Sequence, residues 1–144
     1  MLVNALSRLE YRGYDSAGLT VDGDREKEVL LFKQVGKVHA LRKHIAESSV
    51  DMDRTFVSHA GMAHTRWATH GSPSPLNCHP HKSDPKGEFT VVHNGIITNF
   101  RELKLVLEKR GYTFETDTDT EAVAVLVKYF WDSYPENRKP DFHT

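Results

Sequence analysis

The chain has 144 residues, 38% of them hydrophobic and 27% charged, the size and composition of one soluble globular domain and too short for two ordinary ones. Nineteen Lys and Arg against twenty Asp and Glu leave a formal net charge of −1, which offers no long-range attraction to nucleic acid or to an anionic membrane. The longest apolar run, Ala122 to Val127, is far below the roughly 20 residues that span a bilayer, and Met1-Leu2-Val3-Asn4 does not read as a secretory leader.

In chain order, Leu2, Leu6 and Leu9 read as the end of a helix. Ala17 to Val21 reads as a strand closed by the turn signal Asp22-Gly23-Asp24, and Val29 to Phe32 as its hairpin partner. Val38, Leu41 and Ile45 fall at i, i+3, i+7 and predict a helix from about Lys37 to Glu47. Ser48 to Arg54 is polar and reads as a loop. Phe56-Val57 and Gly61 to Trp67 read as strands. Four prolines (Pro73, Pro75, Pro80, Pro85) make Gly71 to Lys86 irregular. Phe89 to His93 is a strand followed by Asn94-Gly95. Asn99 with Glu102 predicts a capping box, and Gly111 a stop, for a helix buried through Phe100, Leu103 and Leu107. A last helix opens near Thr118 with Glu121 as its reciprocal cap; its apolar face is Ala122, Val123, Leu126, Val127, Phe130 and Trp131. Hairpins mixed with helices favour an α+β or layered architecture with antiparallel sheets.

Four polar segments stand out: Tyr11 to Gly18, His64 to Gly71, His93-Asn94-Gly95 and Asp117 to Glu121. Arg66 reads either as one half of a surface salt bridge or as a guanidinium gripping a carboxylate with two parallel bonds. Asn94-Gly95 is a strong hairpin-turn signal, or a pair of donors for one oxyanion, the side-chain amide and the glycine N–H. Asp119 is a helix cap, or a site for an ammonium group. Opposite Arg66 it would complete a clamp for a free amino acid. Nine histidines, seven of them from His39 to His81 and an eighth at His93, raise the alternative of zinc, but no His-Glu-x-x-His pattern is present. The single cysteine, Cys78, excludes an intrachain disulfide and fits a reducing compartment. Beside His79 it could form a Cys–His nucleophile, but a proline-rich loop has no helix N-terminus to lower its pKa, and a small buried thiol is the plainer reading.

The strings Leu9-Glu10-Tyr11-Arg12-Gly13-Tyr14-Asp15-Ser16-Ala17-Gly18, Ala63-His64-Thr65-Arg66-Trp67-Ala68-Thr69-His70-Gly71, His93-Asn94-Gly95-Ile96-Ile97-Thr98-Asn99 and Thr118-Asp119-Thr120-Glu121 resemble the N-terminal glutaminase domain of the glutamine–fructose-6-phosphate aminotransferases (isomerising), which are class II glutamine amidotransferases. The resemblance runs in order from about Leu6 to Asp132. It implies the four-layer αββα sandwich of N-terminal-nucleophile hydrolases with its first strand missing. It also implies hydrolysis of glutamine, with ammonia passed to a sugar-isomerase domain that converts fructose 6-phosphate to glucosamine 6-phosphate. By resemblance, Arg66 binds the glutamine α-carboxylate, supported by Thr69 and His70, and Asp119 binds the α-ammonium. Asn94 and Gly95 form the oxyanion hole. Trp67 sits near the ammonia exit, Arg12 lies in the loop closing over the nucleophile, and His79 stands at the pocket edge. His64 and His93 are read as structural.

The family begins with Cys-Gly-Ile, whose thiol is the nucleophile and whose own α-amino group is the base. Residues 1–144 carry no such start, and Cys78 does not map onto it. Residues 1–134 therefore read as a partial amidotransferase domain and 135–144 as the start of a linker to isomerase domains, and residues 1–144 alone are expected not to hydrolyse glutamine. No cofactor is expected, nor a nucleic-acid or membrane partner. The parent is expected to be a cytoplasmic homo-oligomer. The alternatives are a noncatalytic amino-acid-binding module on the same fold, or an unrelated Cys–His or zinc hydrolase.

Overall fold

The structure, a computed structural model, describes residues 1–13, 15–23, 28–51, 60–67 and 73–139. Strands β1 (Ser16–Asp22), β2 (Val29–Val35) and β3 (Gly61–Arg66) form an antiparallel sheet in the order β2–β1–β3. Strand β1 is central because it pairs with β2 along one edge and with β3 along the other, and both of its faces are covered. Ala17, Leu19 and Val21 project to one side by the two-residue alternation of a strand. There they meet Leu6 of helix α1 (Leu2–Leu9) and Val38, Leu41 and Ile45 of helix α2 (Val38–Ala46). Each such fully buried side chain contributes about 1.5–3 kcal/mol. The expected leucine stripe of α1 is only partly inward: Leu6 is buried, whereas Leu9 stays 47% exposed. The Glu10 carboxylate accepts the Val38 N–H at 2.7 Å, so a residue 28 positions away satisfies the first turn of α2 and complements its dipole.

The opposite face of the sheet carries Ser16, Gly18 and Thr20 from β1 beside His64 and Arg66 from β3, with Gly18 opposite both Lys33 and His64. The chain from 73 to 82 crosses this face. It can do so because Gly18 has no side chain: a Cβ there would run into the His79 carbonyl oxygen and lie 2.9 Å from that of Phe32. Lys33 Nζ pins the crossing segment by donating to the Leu76 carbonyl at 2.7 Å. Strand β4 (His81–Lys82) then pairs antiparallel with β5 (Thr90–Val91). Helices α3 (Phe100–Glu108) and α4 (Asp119–Ser133) follow, packed on each other, with α4 also covering β4 and β5. Leu107, Ala122, Ala124 and Val125 are buried in this part.

Several expectations are corrected. Residues 73–86 of the proline-rich region are irregular except for β4, and β5 is two residues rather than the five of Phe89 to His93. Its partner strand stops at Pro80, which has no N–H to extend the ladder. Asn99 stands at the start of α3 without a side-chain cap bond, because its φ of −101° and ψ of 22° lie outside the extended region that capping uses. Of the stripe Phe100, Leu103 and Leu107, Leu107 alone is fully buried. Glu121 makes no reciprocal cap. Its carboxylate instead accepts the N–H groups of Glu115 and Thr116 at 2.7 and 2.8 Å and the Thr116 hydroxyl at 2.7 Å. Helix α4 is rotated from the expected face: Ala122, Ala124 and Val125 are buried, while Val127 and Phe130 are exposed. Its first turn sets the rotation, since Asp119, Thr120 and Glu121 all point inward. The Phe56-Val57 strand, part of the Ser48 to Arg54 loop and the tail beyond 139 lie outside the described residues.

Candidate functional site

Arg66 closes β3, and Asp119 opens α4. Both are buried, 5% and 4% exposed. Burial draws the Arg66 pKa down, and the attraction of the Cys78 thiolate form, Asp119 and Asp15 opposes it. A guanidinium stays charged under such a shift. Asp119 uses one oxygen, Oδ2, to accept the Ile97 N–H at 2.8 Å. Among the described residues its other oxygen, Oδ1, meets no closer donor than the Thr120 hydroxyl at 3.5 Å. A buried cation and a buried anion thus feel one another from the ends of two different elements.

The stretch after β5 is bonded to both elements, through Asn94 to β3 and through Ile97 to α4. The His93 N–H donates to His79 Nδ1 at 3.3 Å, and the His93 ring lies 3.4 Å from the Thr120 hydroxyl. With Ile97 held by Asp119, Asn94-Gly95 is fastened on both sides. The pair does not join two strands: it leads from β5 towards α3, so its hairpin reading is replaced by a loop anchored on α4. Gly95 has φ +152°, and a Cβ there would stand 2.8 Å from His93 Nε2, so the position requires glycine. The Asn94 Oδ1 meets His64 Nε2 at 2.8 Å.

Three imidazoles fill the space behind this loop. His64 and His79 stack with centroids 4.6 Å apart, and His79 and His81 meet edge to face at 4.7 Å. Burial pulls His79 down to about 3, helped by the neighbouring His64 and Arg66. It lowers His81 and His64 as well. All three are neutral hydrogen-bonding groups at physiological pH. His81 bonds the Thr118 hydroxyl at 3.2 Å, and the Asn77 side-chain oxygen accepts the Asp117 N–H at 3.3 Å, so the crossing segment also locates the start of α4. Among the described residues no three His, Cys, Asp or Glu side chains gather as metal ligands.

Cys78 is fully buried, and its Sγ donates to the Ser74 carbonyl at 3.0 Å. Burial pushes its thiol up, against the lowering effects of Ser16, Lys33 and Arg66. A nucleophilic cysteine needs the reverse, a depressed pKa and an open approach.

The glutamine amidotransferase domain family matches residues 64–138, a stretch that holds Arg66, Asn94, Gly95 and Asp119 together. The chain belongs to the glutamine amidotransferase domain family. Among curated relatives it is 55% identical over 143 residues to glutamine–fructose-6-phosphate aminotransferase [isomerizing] of Saccharomyces cerevisiae, covering 99% of this chain and 20% of that protein. It is 57% identical over 134 residues to the probable enzyme of the same name from Schizosaccharomyces pombe, covering 93% and 19%. To the human protein numbered 2 under that name it is 51% identical over 137 residues, covering 92% and 20%. The chain therefore spans about a fifth of the length of these relatives. Among solved structures it resembles the glutamine phosphoribosylpyrophosphate amidotransferase from B. subtilis at TM-score 0.63 and 25% identity, over 88% of this chain and 26% of that one. A second, titled the allosteric regulatory enzyme of purine biosynthesis, matches at TM-score 0.66 and 25% identity over the same shares. The fold is a mixed α/β one shared with these amidotransferases.

Within this amidotransferase domain the expected residues are distributed unevenly. Arg66 and Asp119 act on one another electrostatically, and Asn94-Gly95 lies on a loop tied to the Arg66 strand through His64 and to Asp119 through Ile97. His79 is 5% exposed and stands inside the histidine stack rather than at an edge. Trp67 follows Arg66 and is 60% exposed. Arg12 is exposed on a short 3-10 turn, Glu10–Arg12, and Gly13 after it lies against the Arg66–Trp67 peptide. Thr69 and His70 lie outside the described residues. The sequence reading missed the positioning work of His81, Asn77 and Glu121, whose partners are set by tertiary structure. His64 left a signal: two residues before Arg66 on a strand, it must share that residue's face.

Proposed function

We propose that this domain binds free glutamine and hydrolyses its side-chain amide, supplying ammonia to a sugar-phosphate acceptor held elsewhere in the same protein. The observation that carries this reading is the buried opposite-charge pair Arg66 and Asp119. It suits an α-carboxylate at one end and an α-ammonium, taken by the remaining Asp119 oxygen, at the other. The substrate's side chain then extends towards Asn94 and Gly95. A thiolate adds to its amide carbon, and the Asn94 amide and Gly95 N–H receive the oxygen as it becomes negative. Ammonia leaves past Trp67, and water releases glutamate from the thioester. Arg12 belongs to the loop over the nucleophile, and Thr69 and His70 support Arg66. His79 acts on this pocket from behind, as part of its wall.

Cys78 is buried and unsuited to attack, so this reading assigns the nucleophile to an N-terminal cysteine outside residues 1–144, with its own amino group as base. The fold then completes the four-layer αββα sandwich of N-terminal-nucleophile hydrolases. Residues 1–134 belong to that domain and 135–144 lead towards sugar-isomerase domains. The names of the relatives favour fructose 6-phosphate as acceptor; amide-nitrogen transfer to that sugar with isomerisation gives glucosamine 6-phosphate, and the reading places the reaction in a cytoplasmic homo-oligomer. The test is the full-length protein incubated with glutamine, with and without fructose 6-phosphate. Glutamate release, with glucosamine 6-phosphate when the sugar is present, is expected. Glutamine binding without glutamate release overturns the catalytic reading in favour of a binding module.

A further inference from the structure

We propose that His64 is the positioning residue of the oxyanion hole, donating from Nε2 to Asn94 Oδ1 and thereby turning the Asn94 NH2 group towards the substrate. The inference deepens the proposed function and rests on that reading. It starts from a carboxamide that can present either of its ends. An oxyanion donor must offer N–H, and a flipped Asn94 would offer a repelling oxygen instead. Something must therefore hold Asn94 by its oxygen.

His64 is placed to do so. Its Nε2 lies 2.8 Å from Asn94 Oδ1. Its other nitrogen, Nδ1, is buried and meets no hydrogen-bond partner among the described residues. A neutral imidazole carries one N–H, and a buried N–H without an acceptor is rarer and costlier than a buried lone pair without a donor. The proton therefore resides on Nε2, where it has a partner. That tautomer is a donor, and it accepts only the oxygen end of Asn94. The protonated ring, which would place a second N–H at Nδ1, is disfavoured by the burial that lowers the His64 pKa and by the charge of Arg66.

The ring itself is held from two directions. It extends from β3, two residues before Arg66 and on the same face, opposite Gly18. Its flat side rests on His79 at 4.6 Å. His79 reaches that position because its own backbone crosses over Gly18, and its Nδ1 holds the His93 N–H next to Asn94. One strand thus carries both the carboxylate-binding Arg66 and the residue that aims the oxyanion donor. Binding and transition-state stabilisation are set in register by a single rigid element.

The experiment is a double-mutant cycle in the full-length protein, following glutamate release from glutamine, with His64→Phe, His64→Gln, Asn94→Ala and His64→Phe/Asn94→Ala. Phenylalanine keeps the stacking surface and removes the donor. Glutamine restores an N–H near the position of Nε2. In His64→Phe we expect kcat to fall about tenfold or more with KM within about twofold. In the Asn94→Ala background the same change should cost under about twofold, since residues acting as one unit are not additive. His64→Gln should recover kcat to within about threefold of wild type. Multiplying effects in the double mutant, a raised KM with unchanged kcat, or equal losses in the Gln and Phe variants each overturn the inference while an active wild type leaves the proposed function standing. A wild type that releases no glutamate overturns both. Should His64→Phe fail to fold, His64→Gln decides alone: near-wild-type kcat supports the assignment, and a kcat as low as that of Asn94→Ala at an unchanged melting temperature overturns it.

Discussion

The rings of His64 and His79 stack 4.6 Å apart with their planes 19° from parallel, and His79 is held by burial at a pKa of about 3. In the unfolded chain the same group titrates near 6.5. Between about pH 6.5 and 3 the unfolded state binds a proton that the folded state refuses, so stability rises with pH across that window. It is fully present above about pH 6.5 and is lost as the pH falls. His81 acts in the same direction, and Arg66 and Lys33 facing these rings raise the cost of protonating them. The melting temperature of this domain in the full-length protein should fall on acidification below about pH 6.5. His79→Asn should flatten that fall. Equal pH slopes for the two proteins would remove the histidine stack as its cause.

Gly18→Ala should destabilise the domain by about 1–3 kcal/mol or more, the cost of overpacking a closed site. The added methyl collides with the His79 backbone rather than with a movable side chain. Urea unfolding measures it. A change under about 0.5 kcal/mol, the ordinary range for a surface substitution, would show that the crossing segment does not lie on β1 as described.

Arg66→Ala and Asn94→Ala should fail differently in the full-length protein. Losing Arg66 removes a contact made in the ground and transition states alike, so the KM for glutamine should rise, by about 10- to 100-fold, with kcat much less affected. Losing Asn94 removes a donor needed only once the oxyanion forms, so kcat should drop about 10²–10³-fold. Steady-state kinetics separate the two. A large kcat loss at constant KM in Arg66→Ala contradicts the clamp, and an intact kcat in Asn94→Ala returns Asn94-Gly95 to a structural loop.

Cys78→Ala should leave kcat within about threefold of wild type while lowering the melting temperature, because the thiol is fully buried and bonded to the Ser74 carbonyl. Loss of glutamate release in a folded Cys78→Ala protein would make Cys78 the nucleophile.

Arg66 at a strand end, Asn94-Gly95 after a strand and Asp119 opening a helix were legible in the sequence as candidates, but local chemistry left a surface ion pair, a turn and a helix cap open at those positions, and the substrate roles came from the resemblance. The hairpin of β1 and β2, helix α2 and the strand ending at Arg66 were legible directly, since two-residue and 3.6-residue periods are properties of neighbouring residues. The capping boxes at Asn99 and Thr118 were misread because the side chains that make them found other partners or another backbone conformation. Glu121 turned to the 115–116 backbone, and the buried start of α4 then rotated its apolar face away from the periodic stripe. Only the tertiary structure could join Asn94 to His64, 30 residues away, or lay His79 across Gly18. Those pairings depend on which strand faces which loop. That is decided by burial of the whole core, which no local pattern carries.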